Sequence, residues 1–251
     1  HSEASRRRAG ADGKGRCNMV ERTPLVLVPG LLCTRALWEP QITGLADVAH
    51  MTVADHMRHD TMTGIAESIL AAGPHRFALA GLSMGGYIAL EILRLAPERV
   101  TKVALLDTGS RADTPERSAA RRELIAAAER DGTRAVQDRL MPLLIHKERL
   151  TDKPLVDAVL RMGEDTGVGA FRRQQMALMG RPDSRPKLKS IQCPALVLVG
   201  REDALTPLEL SQEIAAGIPK AKLEIIPDCG HLSTMERPEA VNGALRAWLT
   251  A

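Results

Sequence analysis

Along most of the chain, short runs of apolar and often β-branched residues alternate with stretches whose apolar positions recur at helical spacing. The runs at 25–28, 51–54, 77–80, 103–106, 195–199 and 223–226 are mostly hydrophobic, which fits strands buried on two sides. The intervening stretches 35–45, 63–71, 87–95, 208–216 and 238–249 fit helices laid on those faces. The pattern predicts an α/β architecture: a minimal, mostly parallel six-stranded sheet with helices on both sides. Pro97 closes the helix at 87–95, and Pro207 stands where the first turn of the next helix tolerates it.

The alternation breaks once, between 107 and 191, where the sequence predicts no strand. The stretch "TPERSAARRELIAAAERDG" at 114–132 opens on Thr-Pro and ends on glycine, so both helix boundaries are marked. Stretches 133–145, 151–163 and 168–180 read as three further helices, and a Pro-rich connector follows. An all-helical insertion inside an α/β sheet predicts a lid over 109–189. The core is then composed of 23–108 and 190–251, and residues 1–22 read as a disordered leader.

Charge sharpens the reading of that leader. The 251 residues carry a net charge of +3, and residues 1–18, with five Lys/Arg and two Asp/Glu, account for all of it. The balanced remainder offers no electrostatic footprint for nucleic acid or an anionic membrane. No apolar run reaches the ~18–20 residues of a membrane span. The leader lacks the apolar region of a secretory signal and reads as introduced or upstream-translated sequence ahead of a start at Met19. Cys17, Cys33, Cys193 and Cys229 show neither C-x-x-C nor zinc spacing, so they read as free thiols in a reducing, cytoplasmic setting. With aromatic residues at 2%, a pocket has to be lined mainly by aliphatic side chains and methionines.

Candidate chemistry begins at Gly81-Leu82-Ser83-Met84-Gly85, where a strand gives way to a helix. So sharp a turn puts the serine at positive φ; glycines at 81 and 85 remove collisions there and let the hydroxyl stand above the sheet. The start of the following helix offers free N–H groups to a developing oxyanion. A serine attacks only when a base takes its proton and a carboxylate orients that base. Asp203, beyond the strand at 195–199, and His231, beyond the strand at 223–226, lie at carboxyl ends of strands, where open α/β sheets gather functional groups. Glu202 and Asp107 are rival carboxylates for the acid role.

On these residues the chain resembles the α/β-hydrolase superfamily over roughly residues 24–250. The order serine, acid, histidine matches; the family's G-x-x-D-x-x-x-P element stands at 200–207 and its G-H at Gly230-His231. The resemblance implies that Ser83, Asp203 and His231 are catalytic and that the backbone N–H groups of Leu31 and Met84 form the oxyanion hole. The loop carrying Leu31 has Pro29 in place of the family's usual histidine. It further implies a serine hydrolase that cleaves carboxylic esters through an acyl-enzyme, with no metal and no organic cofactor. "GLSMGGYIALE" is similar to the corresponding segment of aryl esterases, cofactor-free perhydrolases and 3-oxoadipate enol-lactone hydrolases. Lactone or C–C bond hydrolysis by the same triad, a hydroxynitrile lyase and a hydrolase-like ligand receptor stay open as alternatives. Serine at the elbow argues against the aspartate-dependent dehalogenases and epoxide hydrolases.

Each of these residues also has a plain structural reading. Ser83 would serve as a small residue in a tight turn, and His231 as a buried, hydrogen-bonded histidine. Leu32, Cys33, Trp38, Met141 and Met176 are the candidate pocket residues, although Trp38 suits core packing equally well and methionines at such positions more often pack helices than touch substrate. A pocket lined in this way favours a small uncharged ester or lactone. The stretch His56-Met57-Arg58-His59 has no third ligand at metal spacing and reads as a surface loop. Cys193 and Cys229 read as packed residues, and the chain as a monomer or homodimer.

Overall fold

The computed structural model of the protein describes residues 21–251, so the leader with Cys17 and Met19 lies almost wholly outside the described residues. One sheet contains β1 (Thr23–Val28), β2 (Ala49–Val53), β3 (Phe77–Leu82), β4 (Val100–Leu106), β5 (Ala195–Gly200) and β6 (Ala221–Ile226). The order is β2-β1-β3-β4-β5-β6 and every pairing is parallel, so the sheet is fully rather than mostly parallel among the described residues.

The two-residue period of a strand sorts the side chains. Leu25, Leu27, Ala78, Ala80, Leu196 and Leu198 enter one hydrophobic cluster, while Val26, Val28, Leu79 and Val197 enter the other. The edge strands β2 and β6 are half-exposed, which is why their sequences are the more polar ones.

Nine helices accompany the sheet among the described residues: α1 (Glu39–Gly44), α2 (Met62–Ala72), α3 (Met84–Leu95), α4 (Pro115–Asp131), α5 (Thr133–Leu144), α6 (Lys153–Met179), α7 (Leu208–Gly217), α8 (Ser233–Glu236) and α9 (Pro238–Thr250). α1 and α9 cover one face; α2, α3 and α7 cover the other. The single helix expected over 35–45 is a 3₁₀ turn, Arg35–Trp38, running into α1. Thr34 caps the turn by accepting from the Ala36 N–H, and Pro40 has no N–H with which to extend one continuous ladder. None of the described helices is long and apolar enough to cross a membrane.

Helices α4, α5 and α6 occupy the stretch between β4 and β5 and pack on one another. The two helices expected at 151–163 and 168–180 form one run, α6, broken at Gly167 (φ 76°, ψ 165°), a conformation that side chains rarely tolerate. Asp113, just before α4, has its side chain out of solvent and takes the guanidinium of Arg121 (3.0 Å) and that of Arg181 beyond α6 (2.7 Å). The insertion has a small core of its own around Ile125, Ala128, Val136 and Phe171, into which Leu32 projects from the loop after β1.

Candidate active site

Ser83 follows β3 and opens α3, with φ 56° and ψ −114°. Holding a non-glycine residue in so sparse a region costs about 1–3 kcal/mol, and the surroundings enforce it. The Ser83 N–H donates to Leu106 O (2.9 Å) and the Thr108 hydroxyl donates to Ser83 O (2.7 Å). A methyl group on Gly81 would strike the Gly85 carbonyl, and one on Gly85 would strike that of Val28. The elbow thus packs backbone directly on backbone, which only glycine allows.

Asp203 and His231 come together from the loops after β5 and β6. His231 Nδ1 lies 2.9 Å from each Asp203 carboxylate oxygen. Asp203 also accepts from the N–H groups of Leu205 and Thr206 (3.0 Å each) and from the Thr206 hydroxyl (2.7 Å). A carboxylate takes donors, so Nδ1 carries its proton toward Asp203 and Nε2 is left as the basic nitrogen. Burial pulls the imidazole's pKa down, but the charge and hydrogen bond of Asp203, with Asp107 and Glu236 behind it, more than offset this and hold it above the ordinary histidine value. Burial alone would raise the Asp203 carboxyl; His231 and the Thr206 donors bring it below the usual range.

The rival carboxylates are engaged elsewhere. Glu202 accepts from the Cys229 N–H (2.9 Å). Asp107, at φ 46°, accepts from the Gly200 N–H (2.8 Å) and from the Ser233 hydroxyl, and burial together with the charge of Asp203 pushes its pKa well up.

Ser83 and His231 line one cavity of about 130 Å³, and Leu31 and Met84 line it with them. Among the described residues the polar contacts of the His231 ring are with Asp203 and Thr206, and Ser83 is not one of its hydrogen-bond partners. Within that same set the N–H groups of Leu31 and Met84 have no backbone acceptor, so both are free to donate.

Of the expected pocket residues, Leu32 and Cys33 line this cavity. Burial pushes the Cys33 thiol up to about 12, so it stays neutral. The other three lie elsewhere. Trp38 and Met141 are buried in the cluster on the α9 face of the sheet, and Met176 lies on the outside of α6 with 44% of its surface exposed. The uncharged lining expected from a leucine- and methionine-rich insertion also fails, because Arg117 and Arg121 of α4 stand in the wall.

His56 is a second correction: it is 1% exposed rather than part of a surface loop. Its Nε2 donates to Gly30 O at 2.7 Å, since a carbonyl can only accept. The Gly30–Leu31 peptide is trans, so fixing this carbonyl aims the Leu31 N–H the opposite way. Two glutamines of the insertion hold the next residue, Leu32, at φ 57°: Gln174 accepts from its N–H (3.2 Å) and Gln137 donates to its carbonyl (3.3 Å). Glu236, 2% exposed, accepts from the N–H groups on either side of His231, those of Gly230 and Leu232 (3.1 Å each), and from that of His146 (2.7 Å). Nothing local marked these side chains as part of the site; His56, Gln137 and Gln174 act on a loop far away in the sequence, and Glu236 on the loop just before it.

Cys33, Cys193 and Cys229 are all unpaired. Among the described residues one group, His146 with Glu202 and Asp228, brings three possible metal-ligand atoms within 4.8 Å of one another, and none of the three but His146 is buried. None of them lines the cavity that holds Ser83.

A model of the alpha/beta hydrolase family matches residues 25–244. The pimeloyl-acyl-carrier-protein methyl ester esterase of Nitrosomonas europaea is 25% identical over 232 residues, which cover 86% of this chain and 91% of that protein. A thermophilic esterase from Thermogutta terrifontis superposes with a TM-score of 0.84 at 30% identity, covering 91% of this chain and 89% of its own. The enol-lactonase of Burkholderia xenovorans LB400 superposes with a TM-score of 0.83 at 24% identity over 92% of each chain, a likeness of fold.

Proposed function

The chain belongs to the alpha/beta hydrolase family and is a hydrolase, and we propose that it is a serine hydrolase of carboxylic esters with Ser83 as nucleophile. In this reading Ser83 Oγ attacks the ester carbonyl while His231 Nε2 takes its proton, and Asp203 holds the imidazole in the required tautomer and stabilises its charge. The N–H groups of Leu31 and Met84 receive the oxyanion. His231 then protonates the departing alkoxide, and water releases the acid from the acyl-enzyme by the same steps in reverse. The insertion 109–189 acts as a lid, with α4, α5 and α6 contributing Leu124, Leu140 and Leu178 to the cavity wall.

The observation that carries the proposal is a strained serine at a strand end, sharing a cavity with a buried histidine whose distal nitrogen is fixed by a carboxylate. The cavity is small beside the ~300–1,000 Å³ of ordinary ligand pockets, which supports a short acyl group. The test is a fluorophosphonate label followed by peptide mapping, with hydrolysis of acetate to hexanoate esters measured in parallel. Labelling at Ser83 and cleavage of the short esters are expected; an unlabelled Ser83 with intact fold would sink the proposal.

A further inference from the structure

The cavity wall holds two arginines and neither an aspartate nor a glutamate. Arg121 is held with its side chain only 16% exposed: Nε and Nη2 reach Asp113 at 3.0 and 3.3 Å, and Nη1 reaches Gln175 at 2.9 Å. The same Asp113 also serves Arg181, whose guanidinium lies 4.2 Å from the ring centre of Tyr87, another residue of the wall. One carboxylate therefore answers two guanidiniums. Arg117, one helical turn before Arg121, adds a third cation, and its hydrogen bond runs from Nη2 to Leu205 O (3.2 Å) rather than to an acid. The remaining N–H groups of Arg117 have no acceptor among the described residues, and the wall carries more positive charge than its surroundings neutralise.

Arg121 is nearly dry, whereas Arg117 is exposed to solvent at the edge of the cavity, where a guanidinium can meet a ligand without first giving up a carboxylate partner. A purely structural role explains Arg121 and Arg181, which tie the insertion to Asp113. It does not involve Arg117, which is exposed, lines the cavity and is paired with no acid among the described residues. We infer that the substrate carries a carboxylate besides the carbonyl that Ser83 attacks, and that Arg117, backed by Arg121, holds it at the α4 side of the cavity. The inference rests on the serine hydrolase reading above and narrows its substrate class to acidic esters. A guanidinium presents a planar fork of donors that a carboxylate matches with two parallel hydrogen bonds, so the pairing fixes orientation as well as affinity.

Two pairs of esters test this and say which half of the substrate bears the charge. Monomethyl glutarate against methyl pentanoate places it on the acyl half; 3-acetoxypropanoate against butyl acetate places it on the alcohol half. In one pair the charged ester is expected to win by about ten- to hundredfold in kcat/KM, mainly through KM, which is the range of a hydrogen-bonded ion pair. Arg117→Gln should cut that ratio at least about fivefold and Arg117→Lys should restore part of it. Neutral esters cleaved as well as the charged ones in both pairs would overturn the inference while leaving the hydrolase reading intact. If no ester is cleaved and fluorophosphonate leaves Ser83 unlabelled, the hydrolase reading fails instead. Binding then decides the site alone: glutarate must raise Tm more than pentanamide does, and Arg117→Gln must abolish the difference.

Discussion

Beneath the cavity, Gly85 lies so close to Val28 that a single added methyl group would collide with its carbonyl; in the helices above, Gly132 and Gly167 have nothing within 4 Å of where such a group would stand. The lower site is made by main chain pressed on main chain at the ends of β1, β3 and β4. The upper part is made by side chains reaching across: Gln174 to Leu32 over 142 residues of sequence, Gln137 to the same residue over 105. The difference teaches where tolerance lies. The serine and its turn are specified by main-chain contacts that leave no room for a side chain. The walls that decide what fits are specified by which face each helix turns inward.

The sharpest way to break the comparison is at Ser83. Ser83→Ala should lower kcat for short esters by about 10⁴–10⁶-fold with no loss of Tm, because the smaller side chain keeps the turn; retention of the parental rate would place the chemistry elsewhere. Next is the pH profile. In the proposed mechanism the free base at His231 is the active form, and its pKa is held above the ordinary value of 6.5, so kcat/KM should fall about tenfold per pH unit below a midpoint lying above 6.5. A limb centred below 6.5 would contradict the buried Asp203 pairing.

A pair of glycines then separates the two regions directly. Gly85→Ala should destabilise by about 3 kcal/mol or more or prevent folding, whereas Gly169→Ala in α6, with only the Arg173 guanidinium at 3.6 Å, should raise stability by up to about 1 kcal/mol. Denaturant melts measure both. His56→Ala, which leaves the Gly30 carbonyl with only the Cys33 N–H as donor, should lower kcat about tenfold with little change in KM, less than the ~10²–10³ that loss of an oxyanion donor costs. The smallest effect belongs to Met176: exposed on the outer side of α6, Met176→Ala should stay within about 0.5 kcal/mol and leave ester preference unchanged.

The sheet was legible because its central strands are buried on both faces and read as unbroken apolar runs, with helices between them showing their periodicity. The placement of Ser83, Asp203 and His231 just beyond strands was legible because each follows a predicted strand at a recognisable spacing. The walls were less so. Periodicity says that Trp38 and Met141 belong to amphipathic helices, but both turn toward the α9 face of the sheet rather than the cavity. His56 sits among charged and polar neighbours, and only the fold brings Gly30 to its ring. Arg117 and Arg121 look like the solvated face of a helix in a stretch rich in arginine. No local pattern records that one side of that helix closes over the serine.

Asp113 and Arg181 stand at the two feet of the arch formed by α4, α5 and α6, 68 residues apart and both with side chains almost wholly out of water. Rupturing that clasp would strand a carboxylate and a guanidinium in a dry interior, so swinging the whole arch about its feet is the expensive way to admit a guest. Breathing is cheaper at the crown, where the α6 run already breaks at Gly167 and no neighbour crowds the bend.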